Sequence, residues 1–240
     1  MRSKKLLISA VVGVLALAVT AVAIASPQFK QTASIRYSSK KPRSNTGVAV
    51  SLKAQDPGAP NGKPSPATKV TVTLAKGTKV DTSAAKVCTA TDSQFASQGA
   101  NACPAGSRLG TGSAEAITGL GAGIDPVGEN IIAFAGKSQI IFLLTPKGAV
   151  GQTATIRGKV RKNVVTVTVP AFPIPGAGNA SLTVFNVALK SISSGRGSKK
   201  KNLVTTPSTC PASKNWTTAT KFNYENGTTA TIKSRSSCKR

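Results

Sequence analysis

The chain has 240 residues, of which 32 are lysine or arginine, 7 are aspartate or glutamate and none is histidine, so its formal net charge is +25. Without histidine, the chain cannot build a Ser-His-Asp triad, a Cys-His dyad, an imidazole proton shuttle or a histidine-ligated zinc site. We therefore predict a protein that is not an enzyme and that uses no cofactor and no metal.

The first 25 residues have the three-part pattern of a secretory signal peptide. A cationic start, residues 1–5, precedes an uncharged apolar stretch that ends in Ala23-Ile24-Ala25. Because about 20 apolar residues can also span a bilayer, an uncleaved membrane anchor is the alternative. We predict a signal peptide over residues 1–25. The mature protein, residues 26–240, is then secreted or associated with the cell wall and is not held in a membrane.

The first part of the mature chain predicts two strands and a short helix. Residues 26–45 are basic and turn-rich, whereas residues 48–52 and 70–74 alternate apolar and polar side chains, as half-buried strands do. Residues 91–97 are the only plausible helix, capped by one of their first two residues, a threonine and an aspartate.

The four cysteines support export, since disulfides form and persist in oxidising compartments. Cys88 and Cys103 enclose 14 residues, and Cys210 and Cys238 enclose 27. Four cysteines allow three pairings, and we predict the two local ones, because each pair brackets its own compact segment. A metal site is not expected, since the chain has neither histidine nor a Cys-x-x-Cys spacing.

The middle of the chain continues as strands. Residues 130–135 and 139–144 are apolar at both parities, which is typical of strands covered on both faces. Residues 154–160 and 165–169 alternate and predict a hairpin. Residues 182–189 form one more predicted strand.

The C-terminal segment predicts a hairpin whose register follows from its aromatic residues. A three-residue loop over residues 225–227, with a left-handed glycine, separates apolar from charged side chains, whereas a two-residue Asn-Gly turn mixes them. Register follows the face that must be buried, so we predict the three-residue loop. This register places Trp216, Phe222 and Tyr224 on one face, and Lys221, Lys233 and Arg235 on the other.

The whole pattern predicts an all-β fold. We expect a β-sandwich of about nine strands, immunoglobulin-like or jelly-roll-like, with at most one short helix and two disulfides. Residues 26–240 are treated as a single domain, which includes a disulfide-closed C-terminal hairpin over residues 203–240.

Several segments resemble a group of secreted β-rich proteins of high-GC Gram-positive soil bacteria, for which no activity is established. The segments that carry the resemblance are LAKGTKV (74–80), Cys88 with ACPAGSRLGTGSA (102–114), VTVP (167–170), NLVTTPSTCP (202–211), WTT (216–218) and YENGTT (224–229) before Cys238. The resemblance spans nearly all of the mature chain. It implies an exported β-rich protein with two disulfides, and it implies no activity, substrate or catalytic residue.

Two short motifs suggest chemistry, and for each we favour a structural interpretation. Asp125 and Glu129 flank a Pro-Val-Gly loop and could bind Ca²⁺ or act as an acid-base pair, but the segment offers few oxygen ligands and predicts a solvated turn. Gly110-Thr111-Gly112 lacks the further glycine and the following helix of a phosphate-binding loop.

Net charge is the feature that departs most from an ordinary domain. A protein this basic adheres to polyanions at low ionic strength. We predict electrostatic association with anionic envelope polymers or acidic polysaccharide, and no sequence-specific binding of nucleic acid, because no recognised motif is present. The candidate residues are Lys221, Lys233 and Arg235 of the hairpin, and Arg196, Lys199, Lys200 and Lys201 of residues 191–201, a polar segment that predicts a mobile loop.

The alternative function is a carbohydrate-binding module. In that interpretation Trp216, Phe222 and Tyr224 form a platform on which a sugar stacks. The chain has only ten aromatic residues, however, so its core competes for them. Exposure of the three rings to solvent would favour the carbohydrate-binding interpretation, and their burial would favour a role in the core.

Overall fold

The computed structural model describes residues 29–239, so the predicted signal peptide over residues 1–25 lies outside the described residues. The strands in chain order are β1 Lys30–Tyr37, β2 Val48–Gln55, β3 Ala67–Thr73, β4 Lys79–Val80, β5 Arg108–Ile117, β6 Val127–Gly136, β7 Gln139–Pro146, β8 Ala154–Arg161, β9 Val164–Thr168, β10 Pro173–Ile174, β11 Gly178–Asn179, β12 Ser181–Leu189, β13 Ser193–Ser194, β14 Lys201–Asn202, β15 Val204–Thr205, β16 Asn215–Tyr224 and β17 Thr229–Ser237. In this part of the chain there is one α-helix, α1, over Asp92–Gln98, and short 3₁₀ turns cover Pro60–Gly62, Thr82–Ala84, Gly99–Ala102, Ala105–Ser107 and Gly197–Lys199.

Eleven of these strands form one sheet, in the order β1-β2-β12-β5-β6-β7-β8-β9-β3-β16-β17. Every neighbouring pair is antiparallel. The prediction of an all-β fold with one short helix and two disulfides is therefore confirmed. The structure differs from the predicted β-sandwich of about nine strands in two respects. The main sheet has eleven strands, and it is a single sheet that curls until its edge strands, β1 and β17, meet.

Side chains close the gap between the two edge strands. The backbone N–H of Ile35 donates to the hydroxyl of Ser234, and the N–H of Tyr37 donates to the hydroxyl of Ser236, both at 3.1 Å. These serines stand in for the backbone carbonyls that a regular ladder would supply. Closure leaves few unpaired backbone groups along the edges, which would otherwise invite pairing with another chain.

Curling gives the sheet an inner and an outer face, between which successive side chains alternate. On β6, Ile131 points into the inner core, whereas Phe134 packs in an outer cluster with Ile141 of β7. Phe95 of α1 and the Cys88–Cys103 disulfide cover that outer cluster. The prediction that β6 and β7 are buried on both faces is thus confirmed.

Both disulfides have the predicted pairing. The Cα atoms are 5.2 Å apart in Cys88–Cys103 and 5.7 Å apart in Cys210–Cys238. The first bridge brackets α1, whose N-cap Thr91 forms a capping box with Gln94. The second ties the end of β17 to the segment that precedes β16. Two disulfides indicate an oxidising, extracellular-type environment.

One end of the interior is closed around Trp216, which is only 2% exposed. Its ring meets Tyr37 edge-to-face at 5.5 Å, and its Nε1–H donates to the carbonyl oxygen of Thr209 at 2.9 Å. The Tyr37 hydroxyl bonds to the Thr78 hydroxyl at 2.9 Å and accepts from the N–H of Ala75. This end is therefore a well-packed, hydrogen-bonded core.

Two local predictions are wrong. Residues 26–45 are not simply turn-rich, because they include β1, which buries Ala33, Ile35 and Tyr37 on the inner face. Residues 191–201 are not a loop throughout: β13 pairs with β14, which extends to residue 202, and a 3₁₀ turn lies between them. Most side chains of this segment are exposed, in agreement with its polar composition.

Candidate functional site

The interior of the curled sheet is hollow at the end opposite Trp216. The cavity there has a volume of about 540 Å³. A smaller cavity of about 100 Å³, lined only by apolar side chains, adjoins it deeper in the sheet. The side chains that border both cavities are Leu52, Val70, Ile156, Val169, Leu182 and Phe185. We call the two together the interior cavity.

Loops around the end of the sheet form the mouth of the cavity. Leu120 and Val150 both line the cavity, and they are 51% and 48% exposed, so the cavity reaches the protein surface at these residues. Ile124 is also exposed, in the same β5–β6 loop as Leu120. Phe29 is exposed too and packs edge-to-face on Tyr224 at 5.0 Å. Two exposed apolar side chains, Leu120 and Val150, therefore line the mouth, and Phe29 contacts the lining residue Tyr224.

A single buried carboxylate points into this apolar space. Glu129 of β6 lines the cavity and is 9% exposed, and its Oε2 atom has no hydrogen-bond partner. Burial raises the pKa of the Glu129 carboxyl above its ordinary value. Its cross-strand neighbours are Ala114 and Pro146, neither of which offers a side-chain donor.

Asp125 performs a different task from Glu129, so the two do not work as a pair. Its carboxylate accepts hydrogen bonds from the N–H and hydroxyl of Thr118 at 2.6 and 2.7 Å, and from the N–H groups of Gly119 and Gly121. Burial alone would raise the pKa of Asp125, but these hydrogen bonds outweigh it and lower the pKa. Asp125 therefore shapes the β5–β6 loop at the mouth. The predicted solvated turn is wrong for Glu129, which is buried in the cavity.

The C-terminal hairpin has the predicted register. Phe222 pairs with Ala230, the N–H of Tyr224 donates to the carbonyl of Thr228, and Gly227 has a φ of 81°. That φ lies in the left-handed region, which glycine adopts without strain. The loop over residues 225–227 is therefore the three-residue loop.

The three hairpin aromatics point inward. Phe222 and Tyr224 are 3% and 6% exposed and line the cavity, with their rings stacked at a centroid distance of 6.2 Å. The Tyr224 hydroxyl donates to Oε1 of Gln31 at 2.9 Å, and burial raises the pKa of that hydroxyl. Trp216 lies at the closed end. The three rings do not form the solvent-facing platform that the carbohydrate-binding alternative requires.

The predicted cations are exposed and lie in two separate places. Lys221, Lys233 and Arg235 are on the outer face of β16 and β17. The neighbouring strands β3, β9 and β8 extend this surface, and none of the five strands contains an acidic residue. We call the outer surface of these five strands the basic face; its exposed cations are Lys69, Lys159, Arg161, Lys221, Lys233 and Arg235.

The second cationic group, Arg196 and residues 199–201, lies on and around the β13–β14 hairpin. The side chain of Lys201 donates to the hydroxyl of Ser83 at 2.9 Å. Across residues 29–239 the only salt bridge joins Arg157 and Asp92, at 2.6 Å. Nearly all cations of the described part are thus without an acidic partner.

The Gly110-Thr111-Gly112 motif serves strand packing. A Cβ added at Gly110 or Gly112 would come within 1.9 Å of a carbonyl oxygen of β12. Any side chain at either position would therefore displace the neighbouring strand. This close approach explains the two glycines and agrees with the structural interpretation of the motif.

Two further findings concern residues 29–239. No helix in that range is long and apolar enough to cross a membrane. No group of three or more cysteine, aspartate or glutamate side chains in that range is arranged to hold a metal ion.

Comparison of the chain with protein-family models, with curated proteins and with solved structures finds no match. The resemblance to secreted proteins of soil bacteria stays a prediction.

Proposed function

We propose that this protein is exported and binds a small apolar molecule, of the size of a single-chain lipid, in the interior cavity. The observation that carries the proposal is the cavity itself. It has a volume of about 540 Å³, is lined mainly by aliphatic and aromatic side chains, and reaches the surface at the exposed residues Leu120 and Val150. Small-molecule sites in proteins typically have volumes of about 300–1,000 Å³ and few polar groups. The proposed role is binding, without a catalytic step.

The packing of the rest of the interior supports this proposal. Protein cores are close-packed, and voids larger than a water molecule are few. The closed end around Trp216 and Tyr37 follows this rule, whereas the other half of the same interior does not. Side chains that line an empty space lose dispersion contacts, and an apolar ligand would supply them. We infer that the hollow half is shaped by a ligand.

Blocking the cavity should abolish binding. Ala116 lines the cavity, whereas its neighbour Glu115 is exposed on the outer face of β5. We expect Ala116→Trp to weaken binding of the neutral fluorophore N-phenyl-naphthylamine by about 100-fold or more, because an indole would occupy ligand volume, and each 1.4 kcal/mol of lost contact is about tenfold in affinity. Fluorescence titration measures the affinity, and Glu115→Trp is the matched control. Equal affinities in the wild type and in Ala116→Trp would contradict binding in the cavity.

A second function that we propose is association with anionic envelope or extracellular polymers, which would keep the protein at the cell wall. The observation that favours it is the basic face, five adjacent strands that carry exposed lysines and arginines and no acidic residue. Such a surface attracts polyanions, and the attraction weakens as the Debye length falls to about 3 Å at 1 M salt.

Charge reversal on the basic face tests this second function. We expect Lys233→Glu with Arg235→Glu to elute from immobilised polygalacturonate at a clearly lower salt concentration than the wild type, with little change in stability, since both side chains are exposed. The control, Lys199→Glu with Lys200→Glu, changes the net charge equally but lies on the other cationic group. If the two variants elute together, adhesion reflects diffuse charge, and the basic face is not the site.

A further inference from the structure

The cavity contains one feature that a purely apolar ligand leaves unexplained. Glu129 is nine-tenths buried, lines a mainly apolar cavity and has a carboxylate oxygen with no hydrogen-bond partner. An unpaired buried acceptor destabilises the folded protein, and an unpaired buried charge does so more strongly. Leucine would fill the same space without that cost.

From this we propose that Glu129 is the polar anchor of the cavity, and that the ligand is an apolar molecule with a neutral hydroxyl group that bonds to the Glu129 carboxyl. This inference rests on the proposed binding function and specifies the class of ligand. It assigns a binding role to Glu129, for which the sequence pattern predicts only a position in a solvated turn.

The position of Glu129 sets where the hydroxyl lies. Glu129 lies between two other inward-facing residues of β6. Val127, on the side of the β5–β6 loop, also lines the cavity, and Ile131, on the other side, belongs to the inner core. The backbone around Glu129 pairs with β5 on one side and β7 on the other, which fixes the position of the residue in the sheet. A ligand therefore meets the carboxyl just inside the mouth and extends its apolar body toward Phe185 and the smaller cavity.

A hydroxyl matches this environment better than other head groups do. It both donates and accepts, so it pairs with the carboxyl whether or not the carboxyl is protonated, and burial favours the protonated form. A carboxylate head would be repelled by an ionised Glu129. An ammonium head would have to approach a strongly basic protein, with Lys53 among the residues that line the same cavity.

The experiment compares head groups on one chain length. Displacement of N-phenyl-naphthylamine from the full mature protein is measured for dodecanol, chlorododecane, dodecylamine and dodecanoate. We expect dodecanol to bind about tenfold more tightly than chlorododecane, since one hydrogen bond to an otherwise unpaired buried group is worth about this factor. Glu129→Leu should remove the preference, whereas Glu129→Gln, which keeps an acceptor and a donor, should retain most of it. Glu115→Leu, on the outer face of the neighbouring strand, is the matched control.

The possible results separate the two proposals. If dodecanol and chlorododecane bind equally, or if Glu129→Leu keeps the preference, the cavity binds apolar molecules but Glu129 is not the anchor. Tighter binding of dodecylamine or dodecanoate than of dodecanol would overturn the assignment of a hydroxyl ligand. If neither the fluorophore nor any of the four compounds binds, the proposed function fails and the anchor fails with it.

Discussion

Replacing Trp216 by alanine is expected to destabilise the protein by about 4 kcal/mol, the middle of the range for removing a large buried aromatic side chain. The indole is 2% exposed, contacts Tyr37 edge-to-face and donates its only hydrogen bond to the carbonyl of Thr209. Alanine would leave a void at the closed end and would leave that carbonyl unpaired. The free energy of unfolding, measured by urea denaturation, checks the prediction.

Two variants show whether the effect comes from packing. Lys221→Ala, at an exposed position of the same strand, should change stability by less than about 0.5 kcal/mol. Trp216→Phe keeps the apolar ring but loses the hydrogen bond, so its loss of stability should lie between the other two. A Trp216→Ala protein that is as stable as the wild type would show that the ring is not part of the core, and would reopen the carbohydrate-binding alternative.

The C-terminal hairpin shows what the sequence can predict. The register of the hairpin could be predicted because it depends on nearby residues. Phe222 and Tyr224 alternate with lysine and asparagine, and Gly227 is placed to adopt a left-handed conformation. Only one loop length buries all the apolar side chains together. The disulfide pairing could be predicted for a related reason, since each pair of cysteines brackets one compact segment.

The closure of the sheet could not be predicted in the same way. It depends on contacts between Ile35 and Ser234 and between Tyr37 and Ser236, each separated by 199 residues. Alternation identifies which side chains of a strand face inward, but the pattern is the same for two facing sheets and for one curled sheet. The inner face of β1 did carry a signal, because Ala33, Ile35 and Tyr37 alternate with polar residues, although the basic charge of the segment obscured it.

The cavity and its carboxylate were hidden for different reasons. An inward-facing apolar residue has the same sequence pattern whether the space beside it is filled or empty. Leu52 and Phe185 therefore do not reveal from the sequence that they line a cavity. Glu129 did carry one: it has the parity of Val127 and Ile131, both inward. An acidic residue in the inward register of a strand is a candidate site. The proline and glycine beside it favoured a turn and masked that alternation.

Removing the Cys210–Cys238 bridge is expected to destabilise the protein by about 3.5 kcal/mol, since it closes a loop with a sequence separation of 28. Removing Cys88–Cys103, with a separation of 15, should cost about 3 kcal/mol by the same chain-entropy estimate. The double serine variants, compared by urea denaturation without reductant, give both values.

The two bridges should differ more in their effect on binding than in their effect on stability. Cys210–Cys238 lies at the closed end with Trp216 and anchors the end of β17, next to Ser236, whose hydroxyl helps to close the sheet against β1 and so holds the edges of the whole interior together. Cys88–Cys103 lies in the outer cluster with α1, on the far side of β6 and β7 from the cavity. We therefore expect Cys210→Ser with Cys238→Ser to weaken binding of N-phenyl-naphthylamine at temperatures where the protein stays folded, and Cys88→Ser with Cys103→Ser to leave it unchanged. The reverse order would mean that the outer cluster, and not the closure of β17 on β1, maintains the shape of the interior.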